Sequence, residues 1–186
     1  MHCANSYLTR AEGKQFEVYD SELLNGLLLY FIGSPDSPYD LHKGLWFDGN
    51  IGTGKTTLMN VFRAFLIKLR KGFMIHTAAD ITSSYSISGD LDTYVNNHNG
   101  YSGQPIELCI DELGREQMPA MHFGNKLNVV QHILHQRYGL WQRRGIITHV
   151  TTNLTPNEVK VRYEDFIFDR CRHMFNIVTI GGYSKR

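Results

Sequence analysis

The chain has 186 residues, 42% of them hydrophobic and 20% charged, with a formal net charge of +1. This is the size and make-up of one globular domain with a substantial core, and the near-neutral balance gives no general attraction to nucleic acid or to an anionic membrane. Three widely spaced cysteines, Cys3, Cys109 and Cys171, argue against a disulfide framework and fit a reducing compartment. No apolar run reaches the ~20 residues that span a bilayer, and the first residues lack the basic-then-apolar layout of a signal peptide, so a cytoplasmic protein is expected.

Residues 1–15 are polar and without pattern, and read as a loose arm. From Asp20 or Ser21, either of which can cap it, a helix is predicted with Leu23, Leu24, Leu27, Leu28 and Phe31 on its apolar face. The Gly- and Pro-rich stretch 33–38 ends it, so residues 1–40 form an arm and helix ahead of a core spanning 41–186. A short apolar run at Leu45-Trp46-Phe47 is a first strand, and a helix carrying Leu58, Val61, Phe62 and Phe65 runs to about Lys71. Lys68, Arg70 and Lys71 in its last turn need no nucleic-acid partner, because cations at a helix C-terminus are favourable in themselves. A second strand is predicted at 73–77. Residues 79–104 are rich in Ser, Asn, Gly and Tyr and read as a surface loop with a short helix around Leu91–Val95. Its Tyr85, Tyr94 and Tyr101 either lie partly buried against the body or stack on bases of a single strand.

A third strand, Ile106 to Ile110, runs into Asp111-Glu112. A long helix is expected from about Asn125 to Trp141, with Arg143 and Arg144 in its exit turn. His132 and His135 lie one turn apart on it, but no acidic or cysteine ligand accompanies them, and zinc is not expected. A fourth strand covers 146–152 and ends at Asn153. Thr155-Pro156-Asn157-Glu158 has the capping-box signature with proline at the first helical position, and a last helix passes through Phe166 and Ile167. The fifth strand, 175–180, is closed by Gly181-Gly182. Strands separated by helical crossovers predict an α/β fold, a five-stranded, mainly parallel sheet with helices on both faces.

The chemistry concentrates at Gly49-Asn50-Ile51-Gly52-Thr53-Gly54-Lys55-Thr56, which reads G-x-x-x-x-G-K-T between a strand and a helix. In that context the glycines let backbone N–H groups, continuing to Thr57, curl around a phosphate chain at a helix N-terminus. Lys55 would reach the β- and γ-phosphates and the Thr56 hydroxyl would bind Mg²⁺. ATP with Mg²⁺ is the expected ligand pair. About 55 residues further on, Asp111 and Glu112 close a buried strand, at the sheet edge where such folds bind ligands. Asp111 would hold Mg²⁺ through its water shell, and Glu112 would take a proton from the attacking water.

From residue 40 onward the chain resembles the AAA+ ATPases of the bacterial helicase-loader and transposition-helper type (DnaC-like and IstB-like), which are P-loop NTPases. The resemblance rests on the loop 49–56, on Asp111-Glu112-Leu113-Gly114, and on Arg137-Tyr138. Its narrower signs are Thr151-Thr152-Asn153-Leu154 and Asp169-Arg170 followed by Gly182-Tyr183-Ser184-Lys185-Arg186. The resemblance implies that the fourth strand sits between the two nucleotide-binding strands and that Asn153 is a sensor of water or γ-phosphate. It also implies that Arg170 is an arginine finger entering a neighbouring subunit's site. The plainer roles are a cap or turn for Asn153 and an ion pair with Asp169 for Arg170; Arg172, Arg137 and Arg186 compete for the trans-acting role. Two departures are expected: no full helical lid after the last strand, and no room for a helicase-gripping domain before the first.

The implied function is ATP binding and hydrolysis in DNA replication or mobile-element DNA transactions. Self-assembly would occur on single-stranded DNA, with a replicative helicase or a transposase as partner and no membrane involved. A small P-loop kinase is the alternative from another class, and a nucleotide-gated binding module a third.

Overall fold

In the computed structural model, residues 21–96 and 103–182 are described, and all structural statements concern them. The elements in chain order are α1 (Ser21–Ile32), β1 (Gly44–Asp48), α2 (Lys55–Lys68), β2 (Met74–Thr77), α3 (Ala78–Ser88), α4 (Asp92–Val95) and β3 (Leu108–Leu113). They continue with β4 (Ala120–His122), β5 (Asn125–Leu127), α5 (Val129–Arg144), β6 (Thr148–Thr152), α6 (Pro156–Tyr163), α7 (Asp165–Met174) and β7 (Phe175–Thr179).

The five long-range strands form one sheet in the order β2-β3-β6-β1-β7, with every pairing parallel. The fourth of these in sequence, β6, lies between β1 and β3, as the resemblance implies. The three inner strands β3, β6 and β1 are covered on both faces, so nearly every one of their residues is buried, whereas the edge strands β2 and β7 are only partly covered. Leu45 and Phe47 point into a cluster with Leu27 of α1 and Leu58 of α2, while Trp46 between them joins Ile81, Ile133, Tyr163 and Ile167 on the other face. β3 divides likewise, with Leu108 and Ile110 on one side and Cys109 on the other.

Local signals account for the helix boundaries. Thr155 caps α6 with a complete capping box to Glu158, and Pro156 stands at its first turn. Gly145, at φ 66, ends α5 by donating to Trp141 O.

Three expectations need correction. Residues 78–88 are a helix rather than a loop, capped by the Thr77 hydroxyl accepting from Asp80 N–H. Ala78, Ile81 and Tyr85 face the sheet from it, so Tyr85 and Tyr94 are buried, at 8% and 7% exposure, and present no ring for base stacking. Tyr101 lies outside the described residues. Residues 120–127 form a small antiparallel hairpin, which delays the start of α5 to Val129 and carries its end to Arg144, so Arg143 and Arg144 lie in the last turn. On α1 the buried face is centred on Leu27, Tyr30 and Phe31, leaving Leu28 40% exposed.

Candidate active site

The loop from Gly49 to Thr56 joins the C-terminal end of β1 to the first turn of α2. Gly49, Gly52 and Gly54 have φ values of 129°, 84° and 88°, in the region open to glycine. Gly49 is doubly constrained: a Cβ there would lie 2.4 Å from Ile180 O, because the exit of β7 presses against the loop. Thr53 is buried and its hydroxyl donates to Asn50 O at 3.0 Å, bracing the turn. Asn50 and Ile51 form the exposed crest, and Thr56 and Thr57 lie in the first turn of α2.

Lys55 folds back across this loop. Its ammonium donates to Gly49 O and Asn50 O, both at 2.7 Å, and the residue is only 7% exposed. Burial lowers its pKa, opposed by the nearby carboxylates of Asp48 and Asp111. One oxygen of Asp48, at the end of β1, is buried without a hydrogen-bond partner among the described residues. The first-turn N–H groups of a fourteen-residue helix and a buried ammonium thus share one loop, an arrangement that suits a polyanion.

Asp111 stands in the C-terminal half of β3, two strands from the loop, and is 3% exposed. It accepts the Thr56 hydroxyl at 2.9 Å (Oδ1) and 3.1 Å (Oδ2), and the Thr151 hydroxyl from β6 at 2.5 Å. Thr56 and Asp111, predicted as a pair of metal-site residues, are therefore in direct contact. Both offer hard oxygen donors, the type that Mg²⁺ takes, so the donor set fits that ion.

At Glu112 the pairing of β3 with β6 loses register, and the residue sits at φ 54°, in the left-handed region that few non-glycine residues occupy. Its N–H donates to Thr151 Oγ1 at 3.0 Å, and its carboxylate lies 3.1 Å from the guanidinium of Arg115, one turn on. This break between Ile110 and Leu113 distinguishes the two adjacent acids: Asp111 is tied into the sheet, and Glu112 is partly exposed. Asn153 immediately follows β6, is partly exposed and makes no hydrogen bond among the described residues.

Arg170 is elsewhere. On α7, its guanidinium lies 5.1 Å from the ring centre of Tyr138 and 5.3 Å from that of Phe166, and it meets His135 Nδ1. None of these partners belongs to the loop or to the group around Asp111. The alternative ion pair with Asp169 is not formed among the described residues.

Arg137 leaves the set of trans-acting arginines altogether. It is 1% exposed and donates to Thr148 Oγ1 at 2.6 Å, Tyr94 O at 3.0 Å, Ile147 O at 3.0 Å and Ile106 O at 3.2 Å. It is a clamp that ties α5 to the sheet. Arg186 lies outside the described residues, and Arg172 is exposed.

Sequence reasoning missed two participants. Thr151 was visible only as part of a motif, yet its position beside Asp111 across adjacent parallel strands is a signal available from strand pairing. Arg115 had no signal beyond its spacing of three from Glu112.

No protein-family model matches this chain, and no curated protein matches it. Solved structures do. The DnaC helicase loader superposes with a TM-score of 0.61 at 18% identity, covering 91% of this chain and 95% of that one. DnaI gives 0.63 at 20% identity, over 97% and 93%. DnaA from Aquifex aeolicus bound to AMPPCP gives 0.58 at 16%, over 88% of this chain and 48% of that one. Fold and loop together have the architecture of the P-loop NTPase fold. Within that class the architecture is the AAA+ one, of the form found in DnaC and DnaI.

Proposed function

We infer that the chain is an ATP-binding and ATP-hydrolysing AAA+ protein serving DNA replication or mobile-element DNA transactions. Its work is helicase loading, by ATP-dependent assembly on single-stranded DNA. The observation that carries the catalytic part is the convergence of Lys55, Thr56, Asp111 and Glu112 at one edge of the sheet, where the loop meets the end of β3.

The loop N–H groups and Lys55 bind the phosphate chain, the ammonium exchanging its two loop carbonyls for β- and γ-phosphate oxygens. Thr56 and Asp111 would hold Mg²⁺, which supplies positive charge to those phosphates when bound. Glu112 accepts a proton from water as the water oxygen bonds to the γ-phosphorus; the bond to the bridging β–γ oxygen breaks, leaving ADP and phosphate. To do so its carboxylate must part from Arg115, an ion pair exposed enough to separate at little cost. Asn153, with its amide uncommitted, is assigned to orient the water or the γ-phosphate. Arg170, held on α7 against Tyr138 and His135 of α5 and partly exposed, is assigned to complete the site of a neighbouring copy.

The deciding experiment measures phosphate release from ATP with and without single-stranded DNA over a range of protein concentrations. The reading expects release without an added acceptor, specific activity rising with concentration, and stimulation by DNA. Phosphate transfer that requires a hydroxyl acceptor would overturn it in favour of a kinase. A flat rate indifferent to DNA would remove the assembly part and leave an ATPase alone.

A further inference from the structure

At the opposite edge of the sheet, where β2, β3 and β6 begin, lies an open cavity of about 730 Å³. It is remote from the phosphate loop, which leaves the C-terminal end of β1. The volume is in the range of natural ligand sites. The ends of α1 and α2 wall it, and its floor is Tyr30, Phe31, Phe73 and His149. Phe31 stacks on Phe73 at 6.0 Å, and Phe73 lies 4.8 Å from the His149 ring. The Tyr30 hydroxyl is already committed to Lys43 O at 2.6 Å.

The rim has a different character. Arg63, Arg70 and Lys71 line it against a single carboxylate, Glu107, which also feels the buried Arg137 from the core side. Arg63 donates its Nε–H to Phe73 O at 3.1 Å, and its side chain makes no other hydrogen bond among the described residues. Arg70 and Lys71 are exposed and enter no ion pair among the described residues. Beside them Ile67 and Leu69 are 54% and 50% exposed, on a helix end that is otherwise polar.

We propose that this groove is a docking site for an acidic segment of a partner protein, with apolar side chains packing against the exposed Ile67 at its wall and carboxylates meeting Arg63, Arg70 and Lys71. The surplus of cations selects against basic segments, and an apolar concavity rimmed by charge is the form that receives anchor side chains. Single-stranded nucleic acid would use the cations too, but it needs exposed ring faces on which bases stack. Here the rings are spent on one another: Tyr30, Phe31 and Phe73 are 7%, 9% and 3% exposed. The site is separate from the ATP-binding edge, so a segment docked here leaves the phosphate loop uncovered.

The test displays a library of short random peptides to the immobilised full chain and compares a variant carrying both Arg70→Glu and Lys71→Glu. The expected result is enrichment of sequences with Asp or Glu flanking a Leu, Phe or Trp, binding the variant about tenfold or more weakly. Melting temperature and ATP hydrolysis of the variant should match the parent. Selected peptides without acidic residues, equal binding to parent and variant, or no enrichment at all would overturn the proposal. Oligothymidylate bound by the parent and lost in the variant would reassign the groove to nucleic acid. A consensus matching residues 1–20 would make its occupant a segment of this chain.

Discussion

Thr151 donates its hydroxyl proton to Asp111 at 2.5 Å and receives the Glu112 N–H at 3.0 Å on the same oxygen. One side chain on β6 thus fixes both acids of β3, the first through its carboxylate and the second through its backbone. Thr151→Val keeps the shape and removes both bonds. Stability should fall by about 1–3 kcal/mol, the cost of leaving buried polar groups unpaired. ATP hydrolysis should drop about tenfold or more, the equivalent of one such bond in the barrier, while ATP affinity changes far less. Phosphate release and nucleotide titration separate the two, and unchanged hydrolysis would show that Glu112 needs no anchoring by β6.

Arg137 is a structural residue and should behave as one. Its guanidinium satisfies three carbonyls and a hydroxyl contributed by three segments, and burial lowers its pKa to about 10. Arg137→Leu should cost about 3–5 kcal/mol in chemical denaturation, as expected for breaking a buried charged network. Arg137→Lys should recover only part of this, since one ammonium cannot span the same planar fork. A loss of catalysis with full stability would return Arg137 to the functional residues.

His149 supplies a pH dependence. Its ring is fully buried, Nδ1 accepts the Leu45 N–H at 3.0 Å, and desolvation, with a smaller push from Arg137, lowers its pKa from 6.5 to about 3. The folded state therefore refuses a proton that the unfolded state takes. Stability from this group is fully present above the unfolded value of 6.5 and is lost as pH falls from there toward 3. Its share of the slope is at most about 1.4 kcal/mol per pH unit. His149→Asn retains an acceptor for Leu45 N–H and does not titrate. The difference between parent and variant in urea midpoint should therefore shrink steadily from pH 6.5 downward; a constant difference would contradict the assignment.

For Arg170, subunit mixing is the cleanest measurement. Arg170→Ala subunits keep their own loop, and Lys55→Ala subunits keep the arginine. Each alone should be about a hundredfold or more below the parent, in line with loss of a trans-acting arginine or of the loop lysine. Their mixture should regain activity at mixed interfaces. Full activity of Arg170→Ala alone, under conditions of assembly, removes Arg170 from catalysis and leaves its cradle of Tyr138, Phe166 and His135 as surface packing.

Much of the fold was legible because its elements repeat their periods in the sequence. The five strands show as apolar runs, α6 as a capping box, and the loop as a glycine pattern between a strand and a helix. Helix α3 was obscured by four serines between Ser83 and Ser88. Its helical signal was the spacing of Ala78, Ile81 and Tyr85, which tertiary burial exploits despite weak local preference. The hairpin at 120–127 was missed because Phe123, at φ 44° and 95% exposed, contradicts the rule that large apolar residues mark a core. In the candidate site, Asp111 and Glu112 were legible as acids ending a buried strand. The bulge that gives them different surroundings was not, because register depends on the neighbouring strand. Arg137 was misread for a related reason: nothing in one helix tells whether an arginine has four acceptors waiting across its interface.

Gly49 has room for nothing larger than hydrogen, because Ile180 O occupies the space a Cβ would take. The same strand exit is tied to β1 by Ile180 N–H donating to Asp48 O at 2.8 Å. The phosphate loop and the path out of β7 are therefore mechanically joined, and one cannot shift without dragging the other. A fluorophore introduced at Gly182, whose surroundings are open, would sit two residues from that joint and register loop closure directly. A fold joined in this way carries its own reporter position, more than a hundred residues along the chain from the loop it reads.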